Sequence, residues 1–272
     1  MNCASYGCVA DIAELLGRTL VLVAHPDDET AGCGALLQRI AQPVVAFVTD
    51  GAPKDEYFWG KYGSRLNYQR VREEEARAAL SSIGVSEIEF LGEEPLASGE
   101  GIADQELCRH MPETYERLSL LISRQRPNAM LALAYEGGHP DHDCCSILGA
   151  RLGTEYKLPI WEFPLYHRAT GGNLQYQQFL TSQPLHDEVA VELSPEELAI
   201  KQAMLNAYAS QHPFLLEFDA TVERFRRQIN YDYTQRPHAG TLNYEAWGWK
   251  VTGEDVCAAY RDFANAHSGV SR

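Results

Sequence analysis

Residues 19–29 read TLVLVAHPDDE: an apolar run, Leu20 to Val23, that passes straight into His25, Asp27, Asp28 and Glu29, with Pro26 stiffening the corner. An apolar run bounded by a polar turn predicts a strand buried on both faces, as in a parallel sheet, and the small residues Ala31, Gly32 and Gly34 suit a helix packed closely on it. The acidic group then sits at the carboxyl end of a parallel strand, where open α/β sheets hold their ligands. His25 and Asp28 can converge on one cation through a tight turn while Asp27 is directed elsewhere. One imidazole and one carboxylate are two ligands of an N/O site suited to zinc. Asp at a strand-to-helix junction is also ordinary capping chemistry, so these residues alone leave both readings open.

The pattern repeats along the chain. Pro43 opens a second apolar run, VVAFV at 44–48, which ends in Thr49-Asp50-Gly51 and predicts a parallel strand with Asp50 at its carboxyl end. EIEFL at 87–91 and AMLALAY at 129–135 predict a third and a fourth strand. Helical patterns at 31–41, at 67–83 before Gly84, and at 105–125 before Pro127 fall between them. The order β-α-β-α-β-α-β implies a mainly parallel sheet with right-handed crossovers, a Rossmann-like three-layer α/β fold. LPIWEFPLY at 158–166 predicts a fifth strand, VAVEL at 189–193 an edge strand, and residues 8–17 a short leading helix. The segment 52–66 is aromatic and glycine-rich with no clean period, and reads as a loop beside the site. Its Tyr57, Trp59 and Tyr62 suit packing, or stacking on a sugar ring.

A chain of 272 residues with 45% hydrophobic and 22% charged residues is expected to form one globular α/β domain over 1–272. A net charge of −15 without a basic run argues against nucleic acid as a partner. The first residues lack the basic and apolar regions of a signal peptide, and no apolar run approaches the ~20 residues of a membrane span, so a cytoplasmic location is expected. Seven cysteines without a CxxC pair fit reduced, mostly buried thiols. Cys3 and Cys8 are counted among them.

The fourth strand runs into EGGHPDHD at 136–143, and a helical stretch from Cys144 to about Tyr156 follows. This second polar group lies on the same side of the sheet as the first. Two histidines three apart can give one imidazole to a metal and leave the other facing a substrate, with Asp141 placed to fix a ring tautomer. Two His/Asp groups ending two strands of one sheet favour a metal site over capping.

HPDDE after the first strand and GGHPDH after the fourth resemble the paired signatures of the PIG-L, or LmbE-like, family of zinc-dependent de-N-acetylases. The resemblance spans about residues 19–211 and takes in Thr49-Asp50-Gly51, Arg72, Glu75 and the late helical stretch SPEELAIKQAMLNAYASQ at 194–211. Ala207-Tyr208 stand where that helix often carries a histidine. The resemblance implies that His25, Asp28 and His142 bind Zn2+ or another divalent transition metal, leaving an open position. It implies further that Asp27 is the general base and that His139 stabilises the oxyanion or protonates the leaving amine. Glu29, Asp50, Arg72 and Asp141 are expected to touch substrate or to support the ligands.

The implied activity is hydrolysis of an acetyl group from an N-acetylated amino sugar of the N-acetylglucosamine type. Two other readings are a non-catalytic sugar-binding relative and a nucleotide-binding oxidoreductase. The second is weakened by His-Pro-Asp-Asp standing where a GxGxxG phosphate loop belongs. Partners are then a small-molecule or glycoconjugate substrate and, through the aromatic and arginine-rich extension at 212–272, either the pocket itself or a second copy in a homo-oligomer.

Overall fold

The structure, a computed structural model, describes residues 9–169, 172–183 and 188–267; Cys3, Cys8 and the first residue of the expected leading helix lie outside them. In chain order, a 3-10 helix at Val9–Leu16 leads into β1 (Arg18–Val23), α1 (Asp28–Arg39), β2 (Gln42–Phe47), α2 (Glu56–Trp59), α3 (Arg65–Ser81) and β3 (Glu87–Phe90). Then come α4 (Met111–Gln125), β4 (Ala129–Leu133), α5 (Pro140–Tyr156), β5 (Ile160–Phe163) and the antiparallel pair β6 (Tyr166–Arg168) and β7 (Leu174–Tyr176). β8 (Val189–Glu192), α6 (Pro195–Ala207), α7 (His212–Leu215), β9 (Val222–Arg227), α8 (Asn243–Ala246) and α9 (Gly253–His267) follow.

The main sheet runs β3-β2-β1-β4-β5-β9-β8. Its first five strands are parallel, and β9 and β8 add an antiparallel edge. Leu20, Val21, Leu22 and Val23 are wholly buried, as a central strand covered by helices on both faces requires. The chain leaves β1 toward β2 on one side and β4 lies against β1 on the other, with Leu22 beside Ala132. That is a topological switch point, and the crevice beyond it is bounded by the turns after β1 and β4. The two His/Asp groups are those turns.

α1 lies close against the sheet: a Cβ on Gly32 would meet the Phe163 ring at 2.1 Å, so only glycine lets the helix pass there. One residue on, the helix breaks at Cys33 (φ −144°, ψ 24°). The freed N–H groups of Ala35 and Leu36 donate to the Glu223 carboxylate at 2.7 and 2.9 Å, and the Ala31 carbonyl accepts from Lys201 Nζ at 3.1 Å. Lys201 and Glu223 pair at 2.8 Å and are fully buried. Side chains inserted into the i→i−4 ladder are a recognised cause of such a kink.

The leading helix is present and is of the 3-10 type. Several local expectations need correction. The segment 52–66 is not a plain loop: α2, capped by Asp55 accepting from Tyr57 N, and a 3-10 turn at Gly60–Tyr62 occupy it, and Ser64 caps α3. Elements of three or four residues are too short to show a period. The run 158–166 splits into β5 and β6 around Pro164, which has no N–H for a ladder. α1 and α5 start at Asp28 and Pro140, earlier than their apolar patterns indicate, because their first turns are built from the polar site residues. The described cysteines, Cys33, Cys108, Cys144, Cys145 and Cys257, are free and buried. Among the described residues no helix is long and apolar enough to cross a membrane.

Candidate active site

The turn after β1 is held by its own polar groups. His25 N donates to Asp28 Oδ2 at 2.8 Å, and Asp27 N donates to Glu29 Oε2 at 3.1 Å. Asp27 has φ 129°, a conformation that costs a non-glycine residue of order 1–3 kcal/mol and persists only when its surroundings enforce it. It stands at the N-cap of α1, yet its side chain makes no capping hydrogen bond. Its Oδ2 instead lies 3.2 Å from Arg72 Nη2. Arg72, itself buried, also donates to the Pro26 and Gly51 carbonyls at 2.5 and 3.0 Å, clamping the turns after β1 and β2 together. Capping is therefore not what Asp27 does.

After β4, His139 caps α5, its Nδ1 accepting from Asp141 N at 3.1 Å. The proton of a neutral His139 ring then resides on Nε2, which lies 3.1 Å from Asp104 Oδ1. Asp141 is wholly buried and accepts from the backbone N–H of Gln105 at 2.7 Å and of Leu107 at 3.0 Å. Its Oδ2 is 3.1 Å from His25 Nε2. In a neutral His25 ring that contact places the proton on Nε2 and turns Nδ1, 3.3 Å from Asp28 Oδ2, toward Asp28 as the free donor atom. Asp28 Oδ1 lies 3.1 Å from His142 Nε2, and neither buried ring nitrogen of His142 makes a hydrogen bond.

Asp28 turns one oxygen to each histidine, Oδ2 to His25 and Oδ1 to His142, at separations comparable to those between the ligands of one ion. Bonds of ~2.0–2.2 Å in a tetrahedral arrangement hold ligand atoms ~3.3 Å apart, and Asp28 meets His25 Nδ1 and His142 Nε2 at 3.3 and 3.1 Å. Donor atoms of His25, His139 and His142 all lie close enough together to share an ion, as do those of His25, Asp104, His139 and Asp141, whereas Asp28 joins the site through its two histidine contacts. In the second group Asp141 is already engaged by two backbone N–H groups. The first contains His142, whose buried ring nitrogens make no hydrogen bond and so have donor capacity for a metal. The residues fit a divalent metal.

The electrostatics divide the carboxylates. Burial disfavours the Asp28 anion, but His142 and His25 outweigh it and hold this carboxyl below the usual range; His25 and His139 do the same for Asp104. Burial pushes Asp27 up to about 8 against the opposing Arg72 charge. Burial works against a charged His25, but Asp104 and Asp28 keep its pKa well above the usual histidine value. His139 is lowered by burial and by the neighbouring His25.

The remaining predicted residues stand further back. Glu29 is wholly buried, accepting from Thr30 Oγ1 at 2.5 Å and from the Tyr208 hydroxyl, and it supports the Asp27 backbone. Asp50 is bound by Arg65 Nη1 at 2.8 Å and Ala52 N at 3.0 Å, and burial raises it to about 6. Glu75 accepts from Ser210 N and Oγ at 2.8 and 2.6 Å, joining two segments that the sequence pattern singled out separately. Asp104 was not legible in the sequence: it lies in GIADQ, away from both His/Asp turns, and bridges to Pro53 with Gln105 at φ 71° beside it. The extension is also drawn in, with Asn243 N and Nδ2 donating to the Gly137 and Gly138 carbonyls at 2.9 and 3.2 Å. The Tyr244 hydroxyl donates to Asp143 at 3.1 Å.

Residues 20–152, which hold both His/Asp turns, match the family model described as PIG-L, GlcNAc-PI de-N-acetylase. They form a PIG-L family domain. A 1D-myo-inositol 2-acetamido-2-deoxy-alpha-D-glucopyranoside deacetylase of Mycobacterium sp. (strain KMS) is 29% identical over 149 residues, covering 48% of this chain and 48% of its own. The chain thus spans about half the length of the curated relatives it matches. Among solved structures, a deacetylase triple mutant from the teicoplanin biosynthetic pathway superposes with a TM-score of 0.60 at 18% identity, covering 79% of this chain and 99% of its own. N,N'-diacetylchitobiose deacetylase from Pyrococcus horikoshii gives 0.55 at 17%, covering 81% and 86%. At these identities the structures establish the shared mainly parallel α/β fold.

Proposed function

We propose that this protein is a metal-dependent N-deacetylase that releases acetate from an N-acetylated amino sugar. The observation that carries the reading is one local contrast: Asp28 lies between His25 Nδ1 and an otherwise unbonded His142 Nε2, while adjacent Asp27 is turned out of that trio in a strained conformation. His25, Asp28 and His142 would hold the ion, and N/O ligands of this kind suit zinc. Bound there, a zinc ion supplies a Lewis acid for the amide carbonyl and acidifies water.

The chain's own groups do the proton work. Asp27 accepts a proton from the attacking water as its oxygen bonds to the acetyl carbon. A carboxyl raised by burial is a stronger proton acceptor, and Arg72 opposes the rise that would leave it protonated. His139 turns its Nε2–H, 3.1 Å from Asp104 Oδ1, to the developing oxyanion, and the proton that Asp27 took from water passes to the leaving nitrogen. The C–N bond breaks, acetate leaves, and the sugar retains a free amine. The myo-inositol glycoside and chitobiose named for similar proteins support an N-acetylglucosamine-type substrate. The test is a screen of N-acetylglucosamine conjugates for acetate and amine release, with metal content measured on the same sample. Stoichiometric metal with no release from any conjugate would sink the hydrolase and leave a sugar-binding relative.

A further inference from the structure

The family match ends at residue 152, but a wall of the site mouth is built from residues near 250. A cavity of about 480 Å3 is lined by Asp104 together with Lys54, Phe58 and Arg109 and, from the extension, Trp249 and Lys250. The Trp249 ring meets His139 edge to face, centroids 4.8 Å apart. Its position is fixed by the backbone. Trp249 N donates to the Tyr244 carbonyl and Gly248 N to the Glu245 carbonyl, both at 3.0 Å, with Gly248 at φ 75°, the pairing of a Schellman turn. That turn ends α8, which Asn243 and Tyr244 tie to the loop carrying His139. The indole is therefore held beside the reacting centre rather than hung on a free tail.

The cavity's charges cancel locally. Lys54 Nζ and Arg109 Nη1 reach the two oxygens of Glu106 at 2.6 and 2.9 Å, and with Lys250, Asp55 and Asp104 the lining sets three cations against three carboxylates, so no net charge favours an anionic ligand. Fixed donors and acceptors of both signs beside aromatic faces suit hydroxyl groups on a ring whose C–H face lies on the indole. Resting on the deacetylase reading, we propose that Trp249 determines specificity at an outer subsite that takes a second, uncharged, hydroxyl-rich ring joined to the N-acetylated amino sugar.

The experiment compares kcat/KM for N-acetylglucosamine, N,N'-diacetylchitobiose and N-acetylglucosamine 1-phosphate in wild type, Trp249→Ala and Trp249→Phe. It also measures the Kd of deacetylated chitobiose by calorimetry. In Trp249→Ala the disaccharide-to-monosaccharide ratio of kcat/KM should fall roughly tenfold and the Kd weaken to match, with Trp249→Phe restoring most of both. Wild type should not prefer the 1-phosphate. An unchanged ratio and Kd in Trp249→Ala, an equal loss on both sugars, or a clear preference for the 1-phosphate would overturn the proposal. If wild type released no acetate while chitobiose still bound through Trp249, the hydrolase reading would fail and the subsite would stand.

Discussion

Asp27 is held by three constraints at once: a left-handed backbone fixed by Glu29, a guanidinium 3.2 Å away, and near-complete burial. Asp27→Asn keeps the shape but cannot take a proton, so metal content should be retained while kcat falls by ~10²–10⁴. Near-normal turnover with metal in place would remove Asp27 from the proton path. Arg72 lowers the Asp27 pKa, and the base must be ionised to work, so Arg72→Gln should raise that pKa and move the acidic limb of the kcat/KM profile to higher pH. Arg72→Lys, which keeps the charge, should leave the limb nearer its wild-type position. A limb that stayed in place in Arg72→Gln would mean that another group titrates there. With His142 as a ligand, His142→Ala should cost metal and activity together, as read by elemental analysis. Full occupancy in that variant would place His142 outside the ligand set.

Helix α1 shows how an element can be shaped by residues far along the chain. Its break at Cys33 is sustained by Glu223 from β9 and Lys201 from α6, both fully buried, and the N-terminal half so set off carries Asp28 and Glu29. Lys201→Met leaves the Glu223 charge buried without its partner. It should therefore destabilise the fold by about 3–5 kcal/mol, measured as a shift in the denaturation midpoint at unchanged slope. Adding Glu223→Gln should recover part of that loss, because an amide can still accept from Ala35 and Leu36. If the double variant were less stable than Lys201→Met alone, unpaired charge would not be the cause.

Across the whole molecule, the strand that joins the extension to the rest is β9, which sits between β5 and β8 and pairs Glu162 with Arg226 in register. Arg226 Nε donates to Glu162 Oε1 at 2.6 Å, and the Tyr231 hydroxyl donates to the same oxygen at 2.8 Å. Burial nevertheless raises Glu162 to about 7, with Arg226 opposing. A folded pKa above the unfolded value means that the native state keeps a proton the unfolded chain gives up between about pH 4.5 and 7. This contribution is present below that window and lost as pH rises through it. Glu162→Gln cannot titrate, so its Tm relative to wild type should shift in the variant's favour from pH 5 to pH 8. A difference that stayed flat with pH would contradict the raised pKa.

Local chemistry made the parallel strands and both His/Asp turns legible in the sequence, because burial on two faces demands an unbroken apolar run and a strand end demands a polar turn within a few residues. The same locality places His25, Asp28, His139 and His142 at one end of one sheet. It could not supply Asp104 or Trp249, nor the insertion of β9 into the sheet. Each of these meets the site through contacts that close long stretches of chain, and such contacts impose no spacing on the sequence. Only the packed tertiary structure, by bringing a strained loop and a glycine turn to the same crevice, decides which side chains surround the reacting centre.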